Sequence, residues 1–221
     1  MTLSSLDKAT LAILAVGILS VGVSAIFLDN LFPVSREFSD DLPLHPGLAH
    51  SFVGTNPGAP ITLVEFGDYQ CPNTKDEQPV ISRLLSEFGS DINFVHKDFP
   101  LNIHTDSRIA AQAAVCVAHL APDKHSAFSD LLFSNQARLK REDLAGYAKQ
   151  LGILTPAFDS CLDDPAIAKQ VQHDLDTAIL EGVRGTPTLF INGKPFEGFQ
   201  SYSKLKIIIE SLLEVSRGKN N

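Results

Sequence analysis

The stretch from Ile61 to Lys75, ITLVEFGDYQCPNTK, constrains this chain more than any other. Ile61 to Phe66 is a short, largely apolar run of the kind seen in buried strands. Gly67 and Asp68 turn the chain, and beyond Thr74 the spacing becomes helical. Cys71 therefore stands where a strand ends and a helix begins. A helix start offers unpaired backbone N–H groups and the positive end of the helix dipole. Both favour thiolate over thiol, so Cys71 is expected to have a lowered pKa and to be the reactive sulfur. The bland alternative is a small buried apolar cysteine. Pro72 suits the first helical position, where its missing N–H costs nothing.

The rest of the chain gives an ordered set of elements. Residues 50–53 suggest a short edge strand. Val80, Leu84, Leu85 and Phe88 carry helical spacing that Gly89 stops, and Ile92 to Phe99 reads as the next strand. From His104 to Glu181 the pattern is helical throughout, in five segments. Thr188 to Ile191 is a strand, Asn192-Gly193 is a hairpin signal, and Pro195-Phe196 starts the partner strand. Tyr202 to Val215 closes the chain as a helix. The order is β-α-β, a helical block, then β-β-α. The helical block is too long for a loop and is expected to have its own small core.

The stretch around Cys71 resembles the active site of the DsbA-like branch of the thioredoxin superfamily, where a strand leads into Cys-Pro-x-Cys and a helix. Glu65, six residues before Cys71, stands where that family carries a buried acid. Pro79, eight residues after it, stands where the family's helix is kinked. Gly185-Thr186-Pro187-Thr188 resembles the cis-proline loop, and Leu189 to Gly193 the strand after it. The resemblance covers about His50 to Leu213. It implies an α/β thioredoxin fold over residues 50–217, with a helical domain inserted at about 104–182. It implies an exported thiol–disulfide oxidoreductase acting on protein thiols and disulfides or glutathione, with a membrane redox partner. One departure is serious: Thr74 replaces the second cysteine of the motif.

That departure changes the chemistry. A thiolate at Cys71 attacks a disulfide sulfur and forms a mixed disulfide. A second cysteine would resolve it internally, whereas Thr74 can only donate a hydrogen bond to the thiolate. An external thiol must then resolve the adduct, which suits monothiol exchange, isomerisation or deglutathionylation. The alternative is a redox-inactive binding module or holdase that grips extended chains. The resemblance places substrate against Pro72, Asn73, Thr186 and Pro187, with Thr186 pairing substrate backbone as an extra strand. Glu65, if buried, would relay protons to a leaving thiolate; on an edge it would be solvated.

Three cysteines are few for a disulfide scaffold, and an odd number in an exported chain fits one pair plus one free thiol. The preferred pairing is a structural disulfide between Cys116 and Cys161 in the helical block, against two separate buried thiols. Export is read from Thr10 to Leu28, a run of 19 positions without charge, about the length that spans a bilayer. Residues 1–28 are either an uncleaved signal anchor, the favoured reading, or a signal peptide cut after Val23-Ser24-Ala25. Residues 29–49 read as a proline-rich extended linker. The domain is then expected in the cell envelope, anchored by residues 10–28 and facing the periplasm or exterior, or secreted if the segment is cleaved. A net charge of −8 without basic runs argues against nucleic acid. The seven histidines show no metal-ligand spacing, and no cofactor or metal is expected.

Overall fold

The computed structural model describes residues 52–53, 56 and 58–218. The expected anchor or signal segment and the linker lie outside these residues. Among them, five strands form one mixed sheet: β1 (Phe52–Val53), β2 (Ile61–Gly67), β3 (Ile92–Asp98), β4 (Thr188–Ile191) and β5 (Lys194–Glu197). Their order across the sheet is β1-β3-β2-β4-β5. β2 lies at the centre, parallel to β3 and antiparallel to β4, while β1 and β5 are antiparallel edges. A parallel β2–β3 pair needs a crossover connection, and α1 (Pro72–Phe88) provides it.

The spacing of apolar residues explains the layer beside the sheet. Ile81 and Leu84 of α1 are buried with Ile61, Leu63 and Ile92 of the sheet and with Leu205, Ile209 and Leu213 of α7 (Tyr202–Gly218). Full burial of each such side chain contributes roughly 1.5–3 kcal/mol. The hairpin at Asn192-Gly193 follows from backbone freedom. Both residues have positive φ, 46° and 78°, as the tight two-residue turn requires. The Asn192 side chain accepts the Thr62 N–H at 2.7 Å, which laces the turn to the start of β2.

The helical block consists of α2 (Ser107–Leu120), α3 (His125–Ser134), α4 (Arg141–Gln150), α5 (Thr155–Leu162) and α6 (Pro165–Leu180). It has the separate core expected of it, built around Phe128, Leu132, Leu139, Leu144, Phe158 and Val171. Cys116 and Cys161 form a disulfide there, tying α2 to α5 with Cα atoms 5.8 Å apart. Two devices join the block to the sheet. Tyr69, from the turn after β2, is buried in the helical core, with its hydroxyl 3.2 Å from Ser129 Oγ. Asp174 of α6 accepts from Lys97 Nζ at 3.0 Å and from the Asp98 N–H at 3.2 Å. All three are buried, so neither charge stands alone.

Candidate active site

Cys71 is the N-cap of α1, in extended conformation, with Pro72 following it inside the first turn. Its N–H donates to the Asp68 carbonyl at 3.0 Å and closes the turn out of β2. The cysteine is 5% exposed, and its sulfur donates to the Thr186 carbonyl at 3.3 Å. The Thr186-Pro187 peptide is cis. Pro72 and Asn73, which follow Cys71 in the first turn of α1, are exposed, while Thr186 is buried. Cys71 is the free cysteine of this chain, because the other two are joined.

Thr74 does not make the hydrogen bond expected of it. Its hydroxyl is buried with no partner among the described residues, and Cys71 bonds Thr186 instead. The reason is the helix face. Thr74, Glu77, Ile81 and Leu84 form the buried stripe of α1, so Thr74 turns inward toward β2. There it meets Gly67, where a Cβ would come within 3.1 Å of Thr74 Cγ2 and 2.6 Å of His96 Cε1. Gly67 is the spacer that lets helix and histidine approach each other.

Glu65 is fully buried on the central strand, which removes the solvated-edge alternative. Both carboxylate oxygens are used. Oε1 accepts from Gln78 Nε2 at 2.8 Å, and Oε2 lies 2.8 Å from His96 Nδ1. The parallel register sets Glu65 beside His96, and His96 Nε2 stands 3.7 Å from Asp98 Oδ1. Burial opposes charge on this imidazole, but the Asp98 and Glu65 carboxylates outweigh it and push the ring up to about 10. Glu65 is therefore half of a buried ion pair rather than an isolated acid.

Polar side chains hold the turn that carries Cys71. Asp68 Oδ1 accepts the Gln70 N–H, while Oδ2 accepts the Leu101 N–H and lies 2.8 Å from His104 Nδ1. Gln136, after α3, donates to the carbonyls of Tyr69 and Cys71 at 2.8 and 2.9 Å. Gln70 donates to the Gln136 carbonyl and accepts the Asp106 N–H. The helical block thus grips the backbone on both sides of the cysteine.

Sequence reasoning passed over His96, Asp68, His104, Gln136 and Glu77. For the first four the deciding partner lies more than thirty residues away: Glu65 for His96, His104 for Asp68 and the reverse, and the Tyr69 and Cys71 carbonyls for Gln136. Glu77 did carry a signal: it falls on the apolar stripe with Thr74, Ile81 and Leu84. Its Oε1 accepts the Gln200 N–H at 2.8 Å, and burial pushes its carboxyl up to about 8.

Known proteins share this architecture. A family model described as Thioredoxin matches residues 50–211. Disulfide bond formation protein D of Bacillus subtilis is 32% identical over 166 residues, covering 71% of this chain and 74% of that protein. The crystal structure of oxidised BdbD from Bacillus subtilis matches with a TM-score of 0.65 at 30% identity, over 72% of this chain and 90% of the other. Alpha-DsbA2 of Wolbachia pipientis, described as a thiol-disulfide exchange protein, matches with a TM-score of 0.65 at 25% identity, over 71% and 84%. The Na(+)/H(+) antiporter NhaA 1 of Salinispora arenicola is 34% identical over 162 residues, 72% of this chain. That match spans only 24% of the antiporter's length.

Proposed function

Because this chain belongs to the thioredoxin family, among its DsbA-like thiol–disulfide oxidoreductases, we propose that it is an exported exchange enzyme working with one active cysteine. The observation that carries this is the placement of Cys71. It is the free sulfur, it caps α1, and it lies against the Thr186 carbonyl. Ionised, it faces the helix dipole and the free N–H groups of the first turn. The thiolate attacks one sulfur of a disulfide. A bond forms from Cys71 to that sulfur, the old S–S bond breaks, and the second sulfur leaves as a thiolate.

Thr74 supplies no second sulfur, so an external thiol completes the cycle. It attacks the mixed disulfide and returns Cys71 as thiolate, with no net change in the enzyme's redox state. This suits shuffling of disulfides on protein or glutathione-type substrates rather than net oxidation. Pro72, Asn73, Thr186 and Pro187 form the substrate rim, with Thr186 offering backbone to an extended chain. Glu65 takes part through His96: a protonated imidazole beside the carboxylate is a local proton store beneath the site. Residues 10–28 anchor the domain outside the cytoplasmic membrane, or residues 1–25 are removed on export. Sodium–proton exchange belongs to the antiporters, of which the shared segment is only 24%, and is not carried over to this chain.

A second reading, a redox-inactive module that grips extended chains, is favoured by one observation: at rest the sulfur is nearly enclosed and bonded as a thiol. Intact mass after incubation with oxidised glutathione separates the two. A single adduct at Cys71, removed by added thiol, is expected for the exchange enzyme. No adduct on wild type, with unchanged peptide binding in Cys71→Ser, establishes the binding module instead.

A further inference from the structure

The buried face of α1 carries a carboxyl group to which exchange at Cys71, as described above, gives no part. Glu77 is fully buried one helical turn beyond Thr74. Its Oε1 accepts the Gln200 N–H at 2.8 Å, and its Oε2 has no hydrogen-bond partner among the described residues. This bond ties the nucleophile's helix to the segment between β5 and α7. From Gln200 the bonding runs back toward the sulfur. Gln200 Nε2 donates to the Glu197 and Gly198 carbonyls at 2.9 and 2.7 Å. The Gly198 N–H donates to the Pro187 carbonyl at 2.8 Å. Thr186, next to Pro187, accepts the Cys71 thiol at 3.3 Å. Cys71 and Glu77 therefore hold the two ends of one bonded circuit, with α1 on one side and residues 186–200 on the other.

We propose that Glu77 is a positioning residue for Cys71: its neutral carboxyl anchors residues 186–200 on α1, and its ionisation shifts the Thr186 backbone that pairs substrate beside the sulfur and slows exchange. This rests on the exchange reading given above. A carboxylate here would be a buried charge solvated by one backbone N–H, and the structure relieves such a charge by moving it toward water. The charged groups around it favour the neutral form or are already engaged. Glu65 on β2 has the same sign, and its own partner is His96 on β3. Lys204 on α7 is spent on Gln200 Oε1 at 2.6 Å. Burial first, and Glu65 to a smaller degree, push the carboxyl up to about 8 against the lowering effect of the Gln200 N–H. The anchor thus holds at neutral pH and is released in mildly alkaline solution.

The test is the rate of mixed-disulfide formation with oxidised glutathione from mildly acid to alkaline pH, divided by the Cys71 thiolate fraction read from ultraviolet thiolate absorbance. Wild type and Glu77→Gln are compared; glutamine keeps the acceptor for Gln200 and cannot ionise. The wild-type rate per thiolate should fall about tenfold as Glu77 ionises, within the roughly hundredfold that a misplacement of about 1 Å costs a reacting pair. The glutamine variant should stay flat and match wild type below neutral pH. If the glutamine variant does not fold, Glu77→Met, which can neither ionise nor replace the carboxyl acceptor of the Gln200 N–H, should give a flat profile at the lower rate that wild type reaches in alkaline solution; a flat profile at the wild-type neutral rate overturns the anchor. Adduct formation with identical profiles in wild type and variant overturns the role of Glu77 alone. No adduct in wild type at any pH overturns the exchange reading and this inference together.

Discussion

Cys71 Sγ donates a hydrogen bond to the Thr186 carbonyl at 3.3 Å, joining residues 115 positions apart. The bond sets the start of α1 against the loop that leads into β4, so Cys71 and the cis Thr186-Pro187 loop are one unit. It also occupies the sulfur as a thiol. In the exchange proposed above, that proton is given up first, and the free N–H groups at the helix start then face the charge.

In the proposed exchange, position 74 decides how the mixed disulfide ends. Thr74→Cys places a sulfur one helical turn from Cys71, on the face that now carries an unpartnered hydroxyl. The variant should form a reversible disulfide between Cys71 and the introduced thiol, and should oxidise reduced substrates without added thiol. Wild type should hold its adduct until an external thiol arrives. Non-reducing mass analysis over time distinguishes the two. A variant that takes up no internal disulfide while wild type forms adducts would show that position 74 is turned too far from the sulfur.

The Glu65–His96 pair gives stability a pH dependence with a definite sign. His96 is pushed up to about 10 from an ordinary 6.5, so it binds its proton more tightly folded than unfolded. Its contribution is fully present below about pH 6.5 and is lost as pH rises toward about 10. His96→Leu leaves Glu65 buried opposite no cation and should cost on the order of 3–5 kcal/mol near neutral pH. Urea unfolding of wild type and variant across pH reads both effects. The gap between them should narrow as pH rises, and a constant gap would remove the ion pair from the account.

The disulfide between Cys116 and Cys161 closes a loop over a sequence separation of 45. Replacing both with alanine should lower unfolding stability by about 2–4 kcal/mol, chiefly by freeing the unfolded chain. Cys71 alkylation in the folded protein should not change, because the bridge ties α2 to α5 and takes no part in holding the Cys71 turn. A faster Cys71 reaction in that variant would mean that the block's grip through Gln136 depends on the bridge.

Much of the architecture was legible because it rests on short-range physics. Cys71 at a strand–helix junction follows from the apolar run before it and Pro72 after it. The Asn192-Gly193 turn follows from which residues tolerate positive φ. The separate core of the helical block follows from five helical segments that together are too long to be a loop. These features depend on neighbours within a turn or two, and the chain determines them by itself. The partnerships of the site depend on register and packing between distant segments. Glu65 meets His96 because β2 and β3 align in parallel with that pairing. Glu77 meets Gln200, 123 positions away, because α1 packs in one core with α7, which follows that segment. Thr74 packs toward Gly67 because the buried face of α1 is set by what the sheet presents to it. Only the tertiary structure decided these, since a buried charge or donor takes whichever partner the packed layers bring within reach.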